Sequence, residues 1–143
     1  MLFLDTNVMS EIRLVSSGKA DLRFIEWVKQ MDTRHCWTSA VVLMELERGV
    51  LRMERKDLVQ GGNLRYWFNT TVRSLFENRV LKIDHTTAQI CAKLHIPNKR
   101  PENDAWIAAS CIQHNLSLVT RNVADFQNLD IELINPFDWS MHF

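Results

Sequence analysis

At 143 residues, 46% of them hydrophobic, the chain is long enough for one domain with a real core and too short for two ordinary ones. Lys plus Arg and Asp plus Glu each number 17, so the formal net charge is zero, and any affinity for a polyanion must come from a local patch rather than a global field. The longest apolar runs, such as Ala40 to Met44, fall far short of the ~20 residues a bilayer span needs, and Met1 leads into a strand-like run without a charged leader, so a cytoplasmic protein with no membrane association is expected.

Leu2-Phe3-Leu4 is a short apolar run that ends at Asp5-Thr6-Asn7, residues that stop strands and cap helices, and it reads as a buried strand feeding a helix. Between Asp21 and Met31 the apolar residues Phe24, Trp27, Val28 and Met31 recur at helical spacing, with Arg23, Glu26 and Lys29 on the charged face. His35 to Thr38 is a second strand, after which Ser39 offers an N-cap to a helix from Ala40 to about Arg52. Leu64, Trp67, Phe68, Val72, Leu75 and Phe76 define another amphipathic helix, with Gly61-Gly62 obscuring its start. Val80 to Ile83 is strand-like, and Thr86-Thr87-Ala88-Gln89 fits a capping box opening a helix through Leu94. A loop from Pro97 to Asn103 precedes a largely apolar helix over Asp104 to His114, and Ser117 to Val119 and Ile131 to Ile134 are the last strands.

Alternating short strands and helices predict an α/β fold with a mostly parallel sheet covered on both faces. In such sheets ligands sit beyond the carboxyl ends of the strands, where Asp5 and the Thr120-Arg121-Asn122 turn both fall. Cys36, Cys91 and Cys111 are odd in number and widely spaced, which predicts reduced core thiols rather than disulfides or a thiolate metal site. The histidines at 35, 85, 95, 114 and 142 form no pair spaced to grip a transition metal.

Three carboxylates sit where solvated charges do not belong. Asp5 closes an apolar strand, Glu45 follows five apolar residues within a helix, and Asp104 opens a helix of small and apolar residues. Each has an ordinary structural explanation taken singly: a helix cap, an ion pair with Arg48 or Arg52, a favourable helix dipole. Taken together, carboxylates clustered without Lys or His are hard oxygen ligands suited to Mg²⁺ or Mn²⁺. Arg48, Arg52, Arg55 and Lys56, with Lys99, Arg100 and Arg121, are candidates for a rim contacting phosphates.

The segments Leu4-Asp5-Thr6-Asn7-Val8-Met9-Ser10-Glu11, Met44-Glu45-Leu46-Glu47-Arg48-Gly49, Asn103-Asp104-Ala105-Trp106-Ile107-Ala108-Ala109 and Val119-Thr120-Arg121-Asn122-Val123-Ala124-Asp125-Phe126, closing with Asn135-Pro136-Phe137, resemble a VapC-type PIN domain in order and spacing over nearly the whole chain. The resemblance implies a single PIN domain over residues 1–143, three-layered, with a central parallel sheet in the order 3-2-1-4-5. It implies a toxin of a type II (VapBC) toxin–antitoxin system that hydrolyses RNA with Mg²⁺, Mn²⁺ being a substitute. Asp5, Glu45 and Asp104 would form the acidic site, with Asp5 and Asp104 as the direct metal ligands and Thr6 and Asn7 beside them. Part of the family carries an acid where Asn122 stands; other members carry Asn there and an acid three residues on, which matches Asp125. The implied partners are a structured RNA such as tRNA or ribosomal RNA, a small antitoxin whose tail covers the cleft, and a second copy of the chain, with a higher assembly on the antitoxin. The partner surface is expected on the helices holding Phe24, Trp27, Leu64 and Trp67. The rival expectation is a degenerate PIN fold that only binds protein or RNA.

Overall fold

The computed structural model describes residues 1–139, so His142 lies outside the described residues. Five parallel strands, β1 (Leu2–Leu4), β2 (Cys36–Ser39), β3 (Val80–Leu81), β4 (Ser117–Val119) and β5 (Leu133–Ile134), form one sheet in the order β3-β2-β1-β4-β5. Leu2 and Phe3 pair with Cys36 and Trp37 on one side, and Leu2, Phe3 and Leu4 with Ser117, Leu118 and Val119 on the other. Successive residues of a strand point to opposite faces. Phe3 and Leu4 are both fully buried, as are Leu118 and Val119, so both faces of the sheet centre are covered.

The helices are α1 (Thr6–Val15), α2 (Leu22–Gln30), α3 (Ala40–Lys56), α4 (Leu58–Trp67), α5 (Arg73–Leu75), α6 (His85–Leu94) and α7 (Glu102–His114). The chain adds strands outward from β1 to β3, then crosses back to lay β4 on the opposite side of β1. The order therefore reverses between β1 and β4, and a crevice opens at their carboxyl ends, where the chain turns away in different directions.

The sequence reading locates these elements and misjudges several ends. β2 is displaced by one residue, His35 belonging to a short 3-10 turn, and only the second halves of the expected 131–134 strand and the first half of the 80–83 strand join the sheet. The box opening α6 starts two residues earlier than expected: Asp84 is the cap, accepting from the Thr87 N–H at 3.0 Å, while the Thr87 hydroxyl accepts from the Asp84 N–H at 3.2 Å. A carboxylate is a stronger acceptor than the Thr86 hydroxyl, and Gln113 of α7 donates to it as well, at 3.0 Å. Gly61-Gly62 lies inside α4 rather than before it, and a wide π turn over Phe68–Val72 carries the chain from α4 into α5.

Gly61 explains the tolerance. A Cβ there would lie 2.4 Å from Glu54 Cα, so α3 and α4 cross at a point where only hydrogen fits. Arg65 clamps the same pair, donating to Glu47 at 2.5 Å and to both oxygens of Glu54 at 2.8 and 3.3 Å. The three cysteines are free and buried, as expected. The expected partner surface is corrected: Phe24 and Trp27 belong to the core, with Phe24 stacked 5.0 Å from Phe137, and Leu64 and Trp67 are half-buried. The exposed apolar residues of this region are Met44, Leu51, Leu58, Val59 and Tyr66, on α3 and α4.

Gly61→Ala is expected to lower stability by about 2 kcal/mol through overpacking, whereas Gly62→Ala, which meets open space, should raise it by about 0.5–1 kcal/mol through helix propensity. Calorimetric melting of the two variants checks this, and a Gly61→Ala protein as stable as the parent would refute the close α3–α4 crossing.

Candidate active site

Asp5 stands between the end of β1 and the start of α1. Its N–H donates to the Val119 carbonyl at 3.0 Å, which continues the β1–β4 pairing by one residue and fixes the backbone. Its side chain is the N-cap of α1, one oxygen accepting from the Thr6 N–H at 2.7 Å. The other oxygen accepts from the Thr120 hydroxyl at 2.8 Å and, more weakly, from the Asn7 amide at 3.5 Å. Asp5 is thus both a helix cap and a buried member of a cluster, 6% exposed.

Thr120, directly after β4, is fully buried, and its hydroxyl accepts from the Asn122 N–H at 3.1 Å and the Asn7 amide at 3.4 Å. The Asn7 carbonyl oxygen accepts from the Arg121 N–H at 3.1 Å. This ties the loop after β4 to the first turn of α1. Arg121 itself lies 3.7 Å over the Phe137 ring, so the Asn135-Pro136-Phe137 motif serves to hold that loop from below.

Glu45, on α3, is half-buried and is partnered by polar groups rather than by Arg48 or Arg52. The Thr6 hydroxyl donates to one of its oxygens at 2.7 Å and the Asn103 amide to the other at 3.4 Å. Asp104 lies in the first turn of α7, which starts two residues earlier than the sequence suggests, at Glu102. Among the described residues its carboxylate has no hydrogen-bond donor. Val123–Phe126 forms a 3-10 turn in which the Asp125 N–H donates to the Asn122 carbonyl at 3.1 Å, so Asn122 and Asp125 are related by one helical turn as the sequence spacing suggests.

The electrostatics show that these acids share one region. Burial pushes the Asp5 carboxyl above its ordinary range against the opposing hydrogen bonds from Thr120 and Thr6, and the charges of Glu45 and Asp125 add to the rise. Asp104 is pushed up to about 6, by burial first and then by Asp5, Asp125 and Glu45. The Cys111 thiol behind them is raised by burial and by Asp5. The charges acting most on either aspartate are carboxylates, a donor set of hard oxygens that suits a divalent cation. Among the described residues no three His, Cys, Asp or Glu side chains are already grouped to hold a metal ion.

The PIN domain family model matches residues 2–132, almost the entire described chain. The chain belongs to the PIN-domain family. It is 28% identical over 145 residues to Toxin FitB of Neisseria gonorrhoeae, spanning 96% of this chain and 99% of that protein. It is 25% identical over 146 residues to VapC ribonuclease Y4jK of Sinorhizobium fredii, with the same coverage. Among solved structures it superimposes on FitAcB from Neisseria gonorrhoeae with a TM-score of 0.85 and 26% identity, over 96% of this chain and 99% of that one. The sheet order expected from the resemblance is that of this PIN fold.

The structure brings Asp5, Glu45, Asp104 and Asp125 within electrostatic reach of one another, with Thr6 and Asn7 bonded among them. The Asn122 backbone joins the network while its side chain has no partner among the described residues. The sequence places the Thr120 turn beside Asp5 at the strand ends but assigns no role to the Thr120 hydroxyl or to Asn103, which the structure shows bonded to Asp5 and Glu45. The signal for Thr120 is a polar residue closing an apolar strand at the sheet position equivalent to Asp5; Asn103 carries no comparable signal, since its reach to Glu45 depends on the α3–α7 packing.

The raised Asp104 value fixes a pH dependence. Its folded pKa of about 6 exceeds the ordinary 3.8, so its ionisation opposes folding fully above pH about 6, and the penalty is removed as pH falls toward 3.8. In EDTA, Asp104→Asn should raise the urea midpoint at pH about 7.5 by roughly 0.5 M and change it little at pH about 4. Equal gains at both pH values would refute the crowded-carboxylate account.

Proposed function

We propose that the chain is the toxin component of a type II toxin–antitoxin system and acts as a Mg²⁺-dependent endoribonuclease that hydrolyses RNA phosphodiester bonds at the carboxylate cleft. The observation that carries the reading is the convergence of Asp5, Glu45, Asp104 and Asp125 at the β1–β4 switch point of a PIN domain. The full-length likeness to proteins named a toxin and a ribonuclease supports it.

Asp5 and Asp104 are the residues to hold a divalent ion, Mg²⁺ or Mn²⁺, with Asp125 adding charge from the loop. A bound ion supplies Lewis-acid stabilisation of the scissile phosphate and a more acidic water. The protein's own contribution is positional. Bonds from Thr6 and Thr120 stop the Asp5 carboxylate from rotating, and the Thr6 and Asn103 donors aim Glu45, leaving it lone pairs to accept a proton from the attacking water. Asn122 has a free side-chain amide to orient a water or a phosphate oxygen.

A structured RNA such as tRNA or ribosomal RNA is the proposed substrate. The exposed Met44, Leu51, Leu58, Val59 and Tyr66 are the proposed surface for a small antitoxin or a second copy of the chain. The rival reading, a PIN fold that only binds, leaves the grouping of the four acids without a purpose.

Cleavage of RNA is expected to need Mg²⁺ or Mn²⁺, to stop with EDTA, and to fall by at least about 10²-fold in Asp5→Asn and Asp104→Asn; undiminished cleavage by either folded variant would sink the assignment. Asp125→Asn should raise the metal concentration for half-maximal cleavage, whereas Asn122→Ala should slow turnover with less change in that concentration. Light scattering of the purified chain should give a dimer that enlarges with its antitoxin, and a monomer indifferent to that protein would count against the toxin reading.

A further inference from the structure

A cleft of about 320 Å³ leads away from Glu45 between α1, α3 and α4. Thr6, Ser10 and Arg13 line one wall, at spacings of four and three residues that place them in a single stripe along α1. Leu64 and Trp67 line the opposite side. A second cleft continues from there, sharing Arg13 and Leu64 with the first and adding Ser17, Lys19, Gln60 and Asn63. Arg13 stands at the junction. The inner cleft is lined by an acid, Glu45; the outer one contains two cations, neutral polar groups and no acid.

Arg13 is set apart by being unpaired where the two clefts meet: the side chains of Arg23, Arg48, Arg52, Arg55 and Arg73 also lack a hydrogen bond or ion pair among the described residues, but none of them lines either cleft. Arg65 is committed to Glu47 and Glu54, Arg79 to the Cys36, Thr33 and Leu75 carbonyls, Arg100 to the Leu94 carbonyl, and Arg121 to the Phe137 ring. Arg13 is exposed and has no hydrogen bond or ion pair with any described residue. Its place in the last turn of α1 suits the helix dipole, but that accounts for a charge at the helix end, not for its place where two clefts meet.

An RNA strand entering a carboxylate cluster meets repulsion at every phosphate. Cationic contacts must lie far enough from the acids not to be neutralised by them. From Thr6 to Arg13 the helix rises about 10 Å, which separates Arg13 along α1 from the acids at the start of that helix. We propose that Arg13, with Ser10, is a positioning site for a flanking phosphate of the RNA, and that the strand leaves the catalytic cleft along α1 toward Lys19. The inference rests on the nuclease reading above. It places the phosphate track on α1, not on the outer side of α3 where the arginine count of the sequence draws attention.

Binding of a short, unstructured, labelled oligoribonucleotide to the full chain in EDTA, followed by fluorescence anisotropy across a NaCl series, tests it, with Mg²⁺-dependent cleavage measured in parallel. Arg13→Gln should weaken binding about tenfold at low salt and reduce the slope of log affinity against log salt by about 0.7, the value for one phosphate contact on a single strand. Its KM should rise with kcat changed by less than about threefold. Arg13→Lys should keep the slope, and Arg23→Gln, on α2 and lining neither cleft, should match the parent. Parental affinity, slope and KM in Arg13→Gln, in a chain that still cleaves RNA, would overturn the inference and leave the nuclease reading intact. A parent that neither binds nor cleaves RNA would overturn both. If oligoglutamate binding to the parent is as tight as RNA binding and equally weakened by Arg13→Gln, Arg13 is a general anion contact and the phosphate assignment fails.

Discussion

Keeping a carboxylate buried at the carboxyl end of the central strand is the constraint on which the rest of the structure turns. An unpaired buried charge is costly, and Asp5 is surrounded by further carboxylates rather than by a counter-ion from the chain. What makes it tolerable is a set of three donors from two elements: the Thr6 N–H and Asn7 amide at the start of α1, and the Thr120 hydroxyl at the end of β4. Those donors meet only if β4 lies beside β1 in register, so the pairing of Leu4 with Val119 is a requirement of the site as much as of the sheet.

The cluster has a fixed side and a free side. Asp5 and Glu45 are held by hydrogen bonds, and the two are linked through Thr6, which gives its N–H to one and its hydroxyl to the other. Asp104 has no donor among the described residues, and Asp125 is carried on an exposed turn. A rigid pair facing a less constrained pair suits the proposed function, in which the acids would draw together around a cation and then accommodate a phosphate. Among the described residues the acids form no ready-made cage, and Asp5, Asp125 and Glu45 each add to the rise in the Asp104 pKa.

The outer elements serve this centre at a distance. The Arg65 clamp and the hydrogen-only contact at Gly61 set α4 against α3, and thereby set the width of the cleft that begins at Glu45. Phe137 supports Arg121 from beneath, and the Asn7–Arg121 bond passes that support to α1. A polar residue in a first helical turn and an aromatic near the chain's end thus act on the same loop.

Local sequence determined which segments became strands and helices, because apolar period and capping chemistry are properties of neighbouring residues. It also marked Asp5, Glu45 and Asp104, since an acid beside an apolar run is conspicuous without any knowledge of the fold. The ends of elements were less legible: Asp84 displaced Thr86 as a cap because Gln113, distant in sequence, strengthens it, and two consecutive glycines stayed helical because α3 presses against one of them. The partners of the acids were decided by tertiary structure alone. Thr120 lies 115 residues from Asp5 and Asn103 lies 58 from Glu45, so no local pattern relates them. The same holds for Arg13, whose neighbours in sequence give it nothing but a helix end, and whose position at the meeting of two clefts exists only once α1, α3 and α4 have packed.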